Sequence, residues 1–257
     1  MANARTSGMI AGFSLTMLAC IAPASADTVV VTAAQPDGWA FSNTDNTGTN
    51  ASGQFVVGPT TPPLGTGSAQ LLVGDANSSE ILISAFGAGS SISAFTALTY
   101  ETYVTTSTQG SGAAPTLQFD LHNAAGAFVG RLVFDPGLLG TVTDDTWQSW
   151  NAATAQAWYF SKPAQTGDCS LTTGTYCTLA QAAADISGFT TLDVLFKAGS
   201  GQSSFNGNVD DFTFGINGTD TTFDFDAVAV PEASTLAVFG IGLAGLAWSR
   251  RRQQTQR

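Results

Sequence analysis

Short runs of alternating apolar and polar residues recur through the middle of the chain, and clusters of Gly, Asn, Asp, Ser and Pro separate them. In residues 117–122 the apolar side chains of Leu117, Phe119 and Leu121 fall at every second position, as a strand with one buried face requires. The same criteria predict ten strands, at 28–32, 54–57, 70–73, 80–84, 98–105, 116–122, 128–134, 191–197, 209–214 and 221–226. So many short strands predict an all-β fold, an antiparallel β-sandwich of the jelly-roll type.

One short helix is expected among these strands. Residues 178–181 (TLAQ) form a capping-box pattern, and residues 181–184 (QAAA) favour a helix. Ser187 and Gly188 provide a stop signal, so the helix should have about two turns and lie on the rim of the sandwich.

The amino end has the pattern of an export signal. Arg5 precedes an apolar stretch at residues 9–22, and Ala24 and Ala26 form a small-x-small cleavage pattern before Asp27. Residues 1–26 are therefore predicted to be a signal peptide that the secretion machinery removes. A lipoprotein signal at residues 17–20 (MLAC) is the alternative.

The carboxyl end is directed to a membrane as well. Residues 230–249 are mostly apolar with one charge, at Glu232, which is enough to cross a bilayer core of about 30 Å as a helix. Arg250, Arg251 and Arg252 follow directly and should hold that end in the cytoplasm. The predicted organisation is a signal peptide at 1–26, an extracytoplasmic body at 27–228 and a tail at 229–257.

This tail resembles the PEP-CTERM sorting signal of Gram-negative bacteria. Pro231 and Glu232 match the first two positions of its box, residues 236–248 its helix and residues 250–252 its arginine cluster, whereas Ala233 departs from the third box position. The resemblance implies an inner-membrane intermediate, cleavage by an exosortase, and delivery to the cell surface or the exopolysaccharide matrix. A permanent single-span anchor is the alternative.

The body resembles secreted bacterial proteins that have concanavalin-like or jelly-roll sandwiches and no assigned activity. The segments that carry the likeness are 37–39 (DGW), 55–59 (FVVGP), 62–68 (PPLGTGS), 146–150 (TWQSW), 196–201 (FKAGSG), 207–212 (GNVDDF) and 222–226 (TFDFD). The resemblance implies fold and location, and it implies no chemistry.

Charge is distributed unevenly along the chain. The formal net charge is −11, yet residues 27–230 hold 18 of the 19 acids and only three of the eight bases, Arg131, Lys162 and Lys197. Binding to nucleic acid needs clustered Lys and Arg. The acidic body therefore argues against a nucleic-acid partner.

Two cysteines, Cys169 and Cys177, remain after removal of the signal peptide. In an oxidising compartment they are expected to form a disulfide, worth roughly 2–3 kcal/mol by loop entropy. Two free buried thiols are the alternative. A zinc site would need more ligands than this pair and the distant His122 provide.

The sequence does not indicate a catalytic site. His122 is the single histidine and falls on the polar face of a predicted strand, away from any nucleophile-elbow motif. Adjacent acids such as residues 144–145 and 210–211 are expected by chance among so many carboxylates. We therefore expect a protein that is not an enzyme and needs no cofactor.

Two binding sites remain as hypotheses. Asn208, Asp210, Asp211 and Asp224 crowd the last two predicted strands, where oxygen ligands could hold calcium. A solvated acidic face is the alternative.

Aromatic residues suggest the second site. Trp147, Trp150, Trp158 and Tyr159 lie close together in sequence, and exposed rings could stack on sugars. Burial of these rings in the core is the alternative.

The sequence as a whole predicts an exported surface or matrix protein with a structural or adhesive role. A carbohydrate-binding, lectin-like module, with or without a dependence on calcium, is the second hypothesis, and a glycan hydrolase is the third. Extracellular polysaccharide is the expected partner of the second.

Overall fold

A computed structural model describes residues 26–107, 113–161, 169–199, 201–202 and 204–227. These residues form thirteen strands and one α-helix, with two 3-10 turns at Ile92–Ala94 and Pro136–Leu138. In chain order the elements are β1 (Asp27–Val31), β2 (Trp39–Ser42), β3 (Ala51–Val57), β4 (Gly67–Val73), β5 (Ser79–Ser84), β6 (Phe95–Ser107), β7 (Thr116–His122), β8 (Phe128–Phe134), β9 (Trp147–Asn151), β10 (Trp158–Ser161), α1 (Leu179–Asp185), β11 (Thr190–Gly199), β12 (Phe205–Ile216) and β13 (Thr219–Phe225).

The strands form two sheets that face each other. The six-stranded sheet has the order β10-β8-β7-β11-β5-β2. In the seven-stranded sheet β12 pairs with β6 along one side, and β9 adds to the far edge of β6. On its other side β12 pairs first with β4, which carries β3, and then with β13, which carries β1. The predicted all-β sandwich is confirmed.

One strand pair departs from the predicted antiparallel arrangement. β1 and β13 pair in parallel, with Asp27 opposite Thr221 and Val31 opposite Phe225. A hairpin can join antiparallel neighbours, whereas parallel neighbours need a long connection. Here nearly the whole body separates the two strands, so no short turn restricts their direction.

Alternation of side chains builds the core. Leu117, Phe119 and Leu121 of β7 are fully buried between the sheets, as the period of two predicts. Aromatic rings fill the centre, where Trp39 packs edge-on against Phe223 and Phe225 at centroid distances of 5.3 and 5.1 Å.

All ten predicted strands are present, most of them longer than predicted, and three strands were missed. The missed strands are β2, β9 and β10, which are four or five residues long and begin with tryptophan. Their pairing depends on distant partners such as β5, β6 and β8, which no local pattern shows.

The helix and the disulfide follow the prediction. Thr178 caps α1, and Gln181 completes the capping box in both directions. Cys169 and Cys177 form a disulfide with their Cα atoms 5.3 Å apart. The short hairpin that they close bonds to β10 through Trp158 and Phe160, so it covers the edge of the six-stranded sheet.

Several predictions concern residues outside the described ranges. They are the signal peptide up to residue 25 with Ala24, the transmembrane helix, Pro231, Glu232, Ala233 and the arginines at 250–252. Within the described ranges, no helix is both long and apolar enough to span a bilayer. Ala26 and Asp27 flank the predicted cleavage point, and Asp27 is the first residue of β1 while Ala26 directly precedes the strand.

Candidate functional sites

A cavity of about 390 Å³ opens on the outer face of the six-stranded sheet. We call it the sheet cavity. Polar residues dominate its lining, and they are Thr116, Gln118, Arg131, Asp135, Tyr159, Ser161, Lys197 and Gln202. The volume lies within the range of small-ligand pockets, about 300–1,000 Å³.

Strand register brings these side chains together. Tyr159 of β10 and Gln118 of β7 both stand opposite Val133 of β8, so the three residues form one row across the sheet. Arg131 of β8 and Lys197 of β11 project from the same face on neighbouring rows. Because successive side chains alternate between faces, Leu132 and Phe134 of β8 enter the core, while Arg131 and Val133 between them face the cavity.

An ionic network fixes the floor of the sheet cavity. The Arg131 guanidinium donates to Asp120 Oδ2 and to Asp45 Oδ2, each at 3.0 Å, and Lys197 forms a salt bridge with Asp45. Arg131 is 5% exposed, and its Nη1 also lies 3.4 Å from Gln118 Oε1. Burial favours a lower pKa for Arg131, but the bonds to Asp120 and Asp45 outweigh it and raise the pKa. The guanidinium is therefore charged and immobilised.

Other lining groups keep unused bonding capacity. Gln202 is 7% exposed, and its Oε1 is buried without a hydrogen-bond partner. Burial also raises the pKa of Asp135, although Gly137 N–H donates to that carboxylate at 2.9 Å. Burial raises the pKa of Tyr159, so its hydroxyl stays protonated and able to donate.

A second site lies on the seven-stranded sheet, where β12 changes neighbours from β4 to β13. The acidic cluster consists of Asp210, Asp224 and Asp226, which surround the loop between β3 and β4. Asp210 Oδ2 accepts from Leu64 N–H at 3.0 Å, and its Oδ1 accepts from Phe225 N–H at 3.1 Å. Asp210 thus accepts from one backbone N–H of the β3–β4 loop and from one of β13.

The three carboxylates differ in their bonding. Asp226 accepts from the Thr66 backbone N–H at 3.1 Å and from the Thr66 hydroxyl. Asp224 is 7% exposed, and its buried Oδ1 has no partner. Burial and the nearby Asp226 and Asp211 raise the pKa of Asp224 to about 6, and burial raises that of Asp210 to about 8 against the hydrogen bonds that it accepts.

The predicted calcium ligands are only partly brought together. Asn208 uses its amide to bond Ser68 Oγ at 2.9 Å, and Asp210 uses both oxygens on backbone N–H groups. Asp211 is half-buried with a φ of 49°. In the described residues, no three His, Cys, Asp or Glu side chains are grouped to hold a metal ion.

The predicted aromatic residues do not form one surface. Trp147 and Trp150 belong to β9, where their indole N–H groups donate to Pro59 O and Thr102 Oγ1. Trp158 of β10 is fully buried, as the alternative of core packing expects, and its indole donates to Ala152 O. Of the four, Tyr159 lines the sheet cavity.

The remaining candidates, His122 and Asp145, each have a hydrogen-bond partner. His122 Nδ1 lies 2.9 Å from Gly126 O in the turn after β7. Asp145 accepts from the Tyr103 hydroxyl at 3.4 Å. These contacts brace a turn and a strand end.

Sequence reasoning missed most of the residues that line the two sites. Arg131 and Lys197 could have drawn attention as two of the three basic residues of an acidic body, both in predicted strands. Asp226 could have been grouped with Asp224, since residues two apart in a strand share a face. Asp45 and Gln202 carry no local signal, because they lie outside the strands.

These observations define a class of protein, a two-sheet β-sandwich with polar sites on both outer faces. The tail indicates where the protein is delivered, since residues 229–252 match the PEP-CTERM protein-sorting motif. That motif indicates export and sorting to the cell surface. No curated protein matches the chain.

Solved structures with a similar fold include carbohydrate-binding modules. A family 11 module from Clostridium thermocellum, in complex with a β-1,3-1,4-mixed-linked tetrasaccharide, is 11% identical with a TM-score of 0.40, over 74% of this chain and 91% of that one. TmCBM61 in complex with β-1,4-galactotriose is 10% identical with a TM-score of 0.31, over 69% and 88% of the two chains. An arabinose-bound α-L-arabinofuranosidase, MgGH51, is 12% identical with a TM-score of 0.38, over 72% and 24%.

Proposed function

We propose that the protein is an adhesive component of the cell surface or extracellular matrix and that its body binds neutral polysaccharide in the sheet cavity. The tail supports the location, and the sheet cavity carries the proposal for binding. Its decisive feature is a set of buried polar groups from four strands that converge on one opening while Gln202 Oε1 has no protein partner.

The chemistry of the lining suits hydroxyl-rich ligands. Gln202 Oε1 is an acceptor, the Tyr159 hydroxyl is a donor and acceptor, and Gln118 presents a planar amide. Arg131 holds the Gln118 amide in place from below, so the amide is oriented before any ligand arrives. A sugar residue offers matching donors and acceptors around its ring, and the Tyr159 ring offers it an apolar surface.

The negative charge of the body favours a neutral polysaccharide as the ligand. The body carries 18 acids against three bases, and Arg131 and Lys197 already neutralise Asp45 and Asp120. An acidic polysaccharide would approach against the field of the whole domain. Neutral chains avoid this repulsion.

Binding without hydrolysis is part of this proposal. Glycoside hydrolysis ordinarily needs two carboxylates on opposite sides of the scissile bond. Among the described lining residues of the sheet cavity, Asp135 is the one carboxylate. This composition favours a binding site over a hydrolase.

The route to the surface completes the proposal. A signal peptide removed before Asp27 exports the chain, residues 230–249 hold it in the inner membrane, and an exosortase cleaves at the box that contains Pro231 and Glu232. The match at 229–252 supports this route. A permanent membrane anchor is the competing outcome.

Affinity electrophoresis of the full chain in mild detergent tests the binding. The gels would contain neutral polysaccharides, such as galactomannan and xyloglucan, or acidic alginate, with and without calcium. We expect at least one neutral polymer to retard the protein and alginate to have no effect. Free migration in every neutral gel would refute the proposal.

Matched variants locate the site. Gln118→Ala with Tyr159→Phe should weaken the affinity about thirtyfold, since the two lost hydrogen bonds cost about 1 kcal/mol each. Gln54→Ala removes an exposed amide from the seven-stranded sheet and should bind as the wild type does. Equal retardation of both variants would place the binding elsewhere.

A further inference from the structure

The acidic cluster combines an unusual geometry with a loop that has no side chain at its centre. The loop tip faces all three carboxylates, with Leu64 N–H bonded to Asp210, Thr66 N–H bonded to Asp226, and Gly65 beside both Asp224 and Asp226. A Cβ atom placed on Gly65 would lie 2.6 Å from Asp226 Oδ2 and 2.8 and 3.0 Å from the two oxygens of Asp224. Three oxygens from two carboxylates therefore converge beside Gly65.

The loop satisfies two of the three carboxylates. Its N–H groups donate to Asp210 and Asp226, which accounts for these two acids as anchors of the loop. Asp224 receives no such donor, and its Oδ1 is buried without a partner. A buried carboxylate oxygen with no partner costs about 1–3 kcal/mol or more, so a purely structural cluster does not explain Asp224.

No basic side chain compensates the cluster within the described part of the chain. Its two basic residues, Arg131 and Lys197, bond to Asp45 on the outer face of the other sheet. The groups that converge beside Gly65 are all oxygens, which hard cations prefer and which suit zinc poorly.

We propose that Asp224 and Asp226 bind a divalent cation of the calcium type beside Gly65, and that Asp210 positions the loop for it. Two carboxylates hold the ion, while backbone oxygens and water complete its coordination. With so few charged ligands the site belongs with weak extracellular calcium sites, whose Kd is about 10⁻⁴–10⁻³ M. The ion joins the β3–β4 loop to the end of β13.

This site replaces part of the ligand set that the sequence suggests. Asp224 stays a ligand and Asp226 joins it. Asp210 acts through the loop, and the Asn208 amide is already bonded to Ser68. The site lies on the seven-stranded sheet, so the inference does not rest on polysaccharide binding in the sheet cavity.

Calcium-dependent thermal unfolding tests the inference. The full chain in mild detergent, freed of metal with a chelator, would be heated at neutral pH with calcium chloride, magnesium chloride or sodium chloride of equal ionic strength. Calcium at about ten times Kd should raise Tm by about 3–6 °C. Magnesium should do less, because it demands octahedral geometry and dehydrates reluctantly.

Two variants distinguish the site from general screening of an acidic protein. Asp224→Asn should raise the calcium concentration at the midpoint of the Tm response at least tenfold. Its Tm without calcium should equal or exceed that of the wild type. Asp220→Asn makes the same charge change at an exposed position of β13 and should respond as the wild type does. Calcium should therefore raise the Tm of the wild type more than the Tm of Asp224→Asn.

Three results would overturn the inference. They are a Tm that calcium leaves unchanged, an equal response to sodium or magnesium chloride, and a calcium response that Asp224→Asn retains. If calcium leaves the Tm unchanged and acidification raises it, then protons and not calcium neutralise the cluster. The wild-type comparison of calcium with magnesium needs no variant, so it decides the question even if Asp224→Asn fails to fold.

Discussion

At the residue scale, buried polar atoms show where this sandwich departs from simple packing. Among the described residues, five buried side-chain atoms lack partners, and two of them, Gln202 Oε1 and Asp224 Oδ1, lie at the two candidate sites. Glu80 Oε2 is a third. Glu80 points between the sheets at the start of β5, opposite Ala198, and it is 2% exposed. Its carboxylate therefore costs stability whenever it is ionised.

The pH dependence of stability follows from Glu80. Burial raises its pKa to about 7 from an ordinary value near 4.5. The folded state thus holds the proton more tightly than the unfolded state, so the contribution of Glu80 falls between about pH 4.5 and 7 and stays low above that. Glu80→Gln should raise Tm at pH 8 by about 4–8 °C, corresponding to about 2 kcal/mol, and should give no gain at pH 4.

Thermal melts of wild type and variant across this pH range measure the effect. Glu101→Gln is the charge-matched control at a half-exposed strand position beside Ser149. An equal Tm difference at pH 4 and pH 8 would show that Glu80 does not titrate in this window.

At the element scale, the disulfide protects a sheet edge. The hairpin between Cys169 and Cys177 bonds to β10 through Trp158 and Phe160, and both cysteines are buried. An uncovered edge strand is a template for aggregation. The bond therefore closes a small loop and also keeps a cover on the six-stranded sheet.

Removing the disulfide tests this role. Replacing both cysteines with serine should lower the free energy of unfolding by about 2–3 kcal/mol, since the unfolded chain gains loop entropy. The β-type circular dichroism should persist, while amide hydrogen exchange should accelerate in β10 and not in β7 at the centre of the sheet. Faster exchange throughout both sheets would show that the hairpin supports the whole fold.

Local patterns predicted the elements that local forces specify. The capping box at Thr178 and the alternation in β7 concern neighbours along the chain, and both are found in the structure. The candidate sites depend on contacts between residues that are far apart in the sequence. Asp45 meets Arg131 across 86 positions and Lys197 across 152, and Thr66 meets Asp226 across 160. Such contacts arise from sheet order, which a single sequence does not display.

At the scale of the whole molecule, the first and last strands of the body lie side by side. Val31 O accepts from Asp226 N–H at 2.8 Å directly after β13 ends. Thr66 bonds the Asp226 carboxylate from the other side. The folded body is thus fastened at Asp226, three positions before the predicted tail begins at residue 229.

This arrangement predicts that the tail is dispensable for folding. A chain of residues 27–228 should be soluble, show β-type circular dichroism and melt within a few degrees of the tailed protein, because it retains Asp226 and its bonds. A chain ending at residue 223 loses Asp224 and Asp226 and should be markedly less stable. Aggregation of the 27–228 chain would show that the body needs its tail.

The tail should determine where the protein is delivered, and the tail itself should be cleaved. Proline at residue 231 disfavours a helical conformation at Val230, so the sequence predicts that the box offers extended backbone to a membrane protease. Pro231→Ala together with Glu232→Ala should therefore leave a longer, membrane-retained form, whereas Leu236→Val preserves apolar character and should be processed normally. Mass spectrometry of the mature surface protein from a host that carries an exosortase measures the outcome. A carboxyl terminus at Arg257 in the wild type would show that the segment acts as an anchor alone.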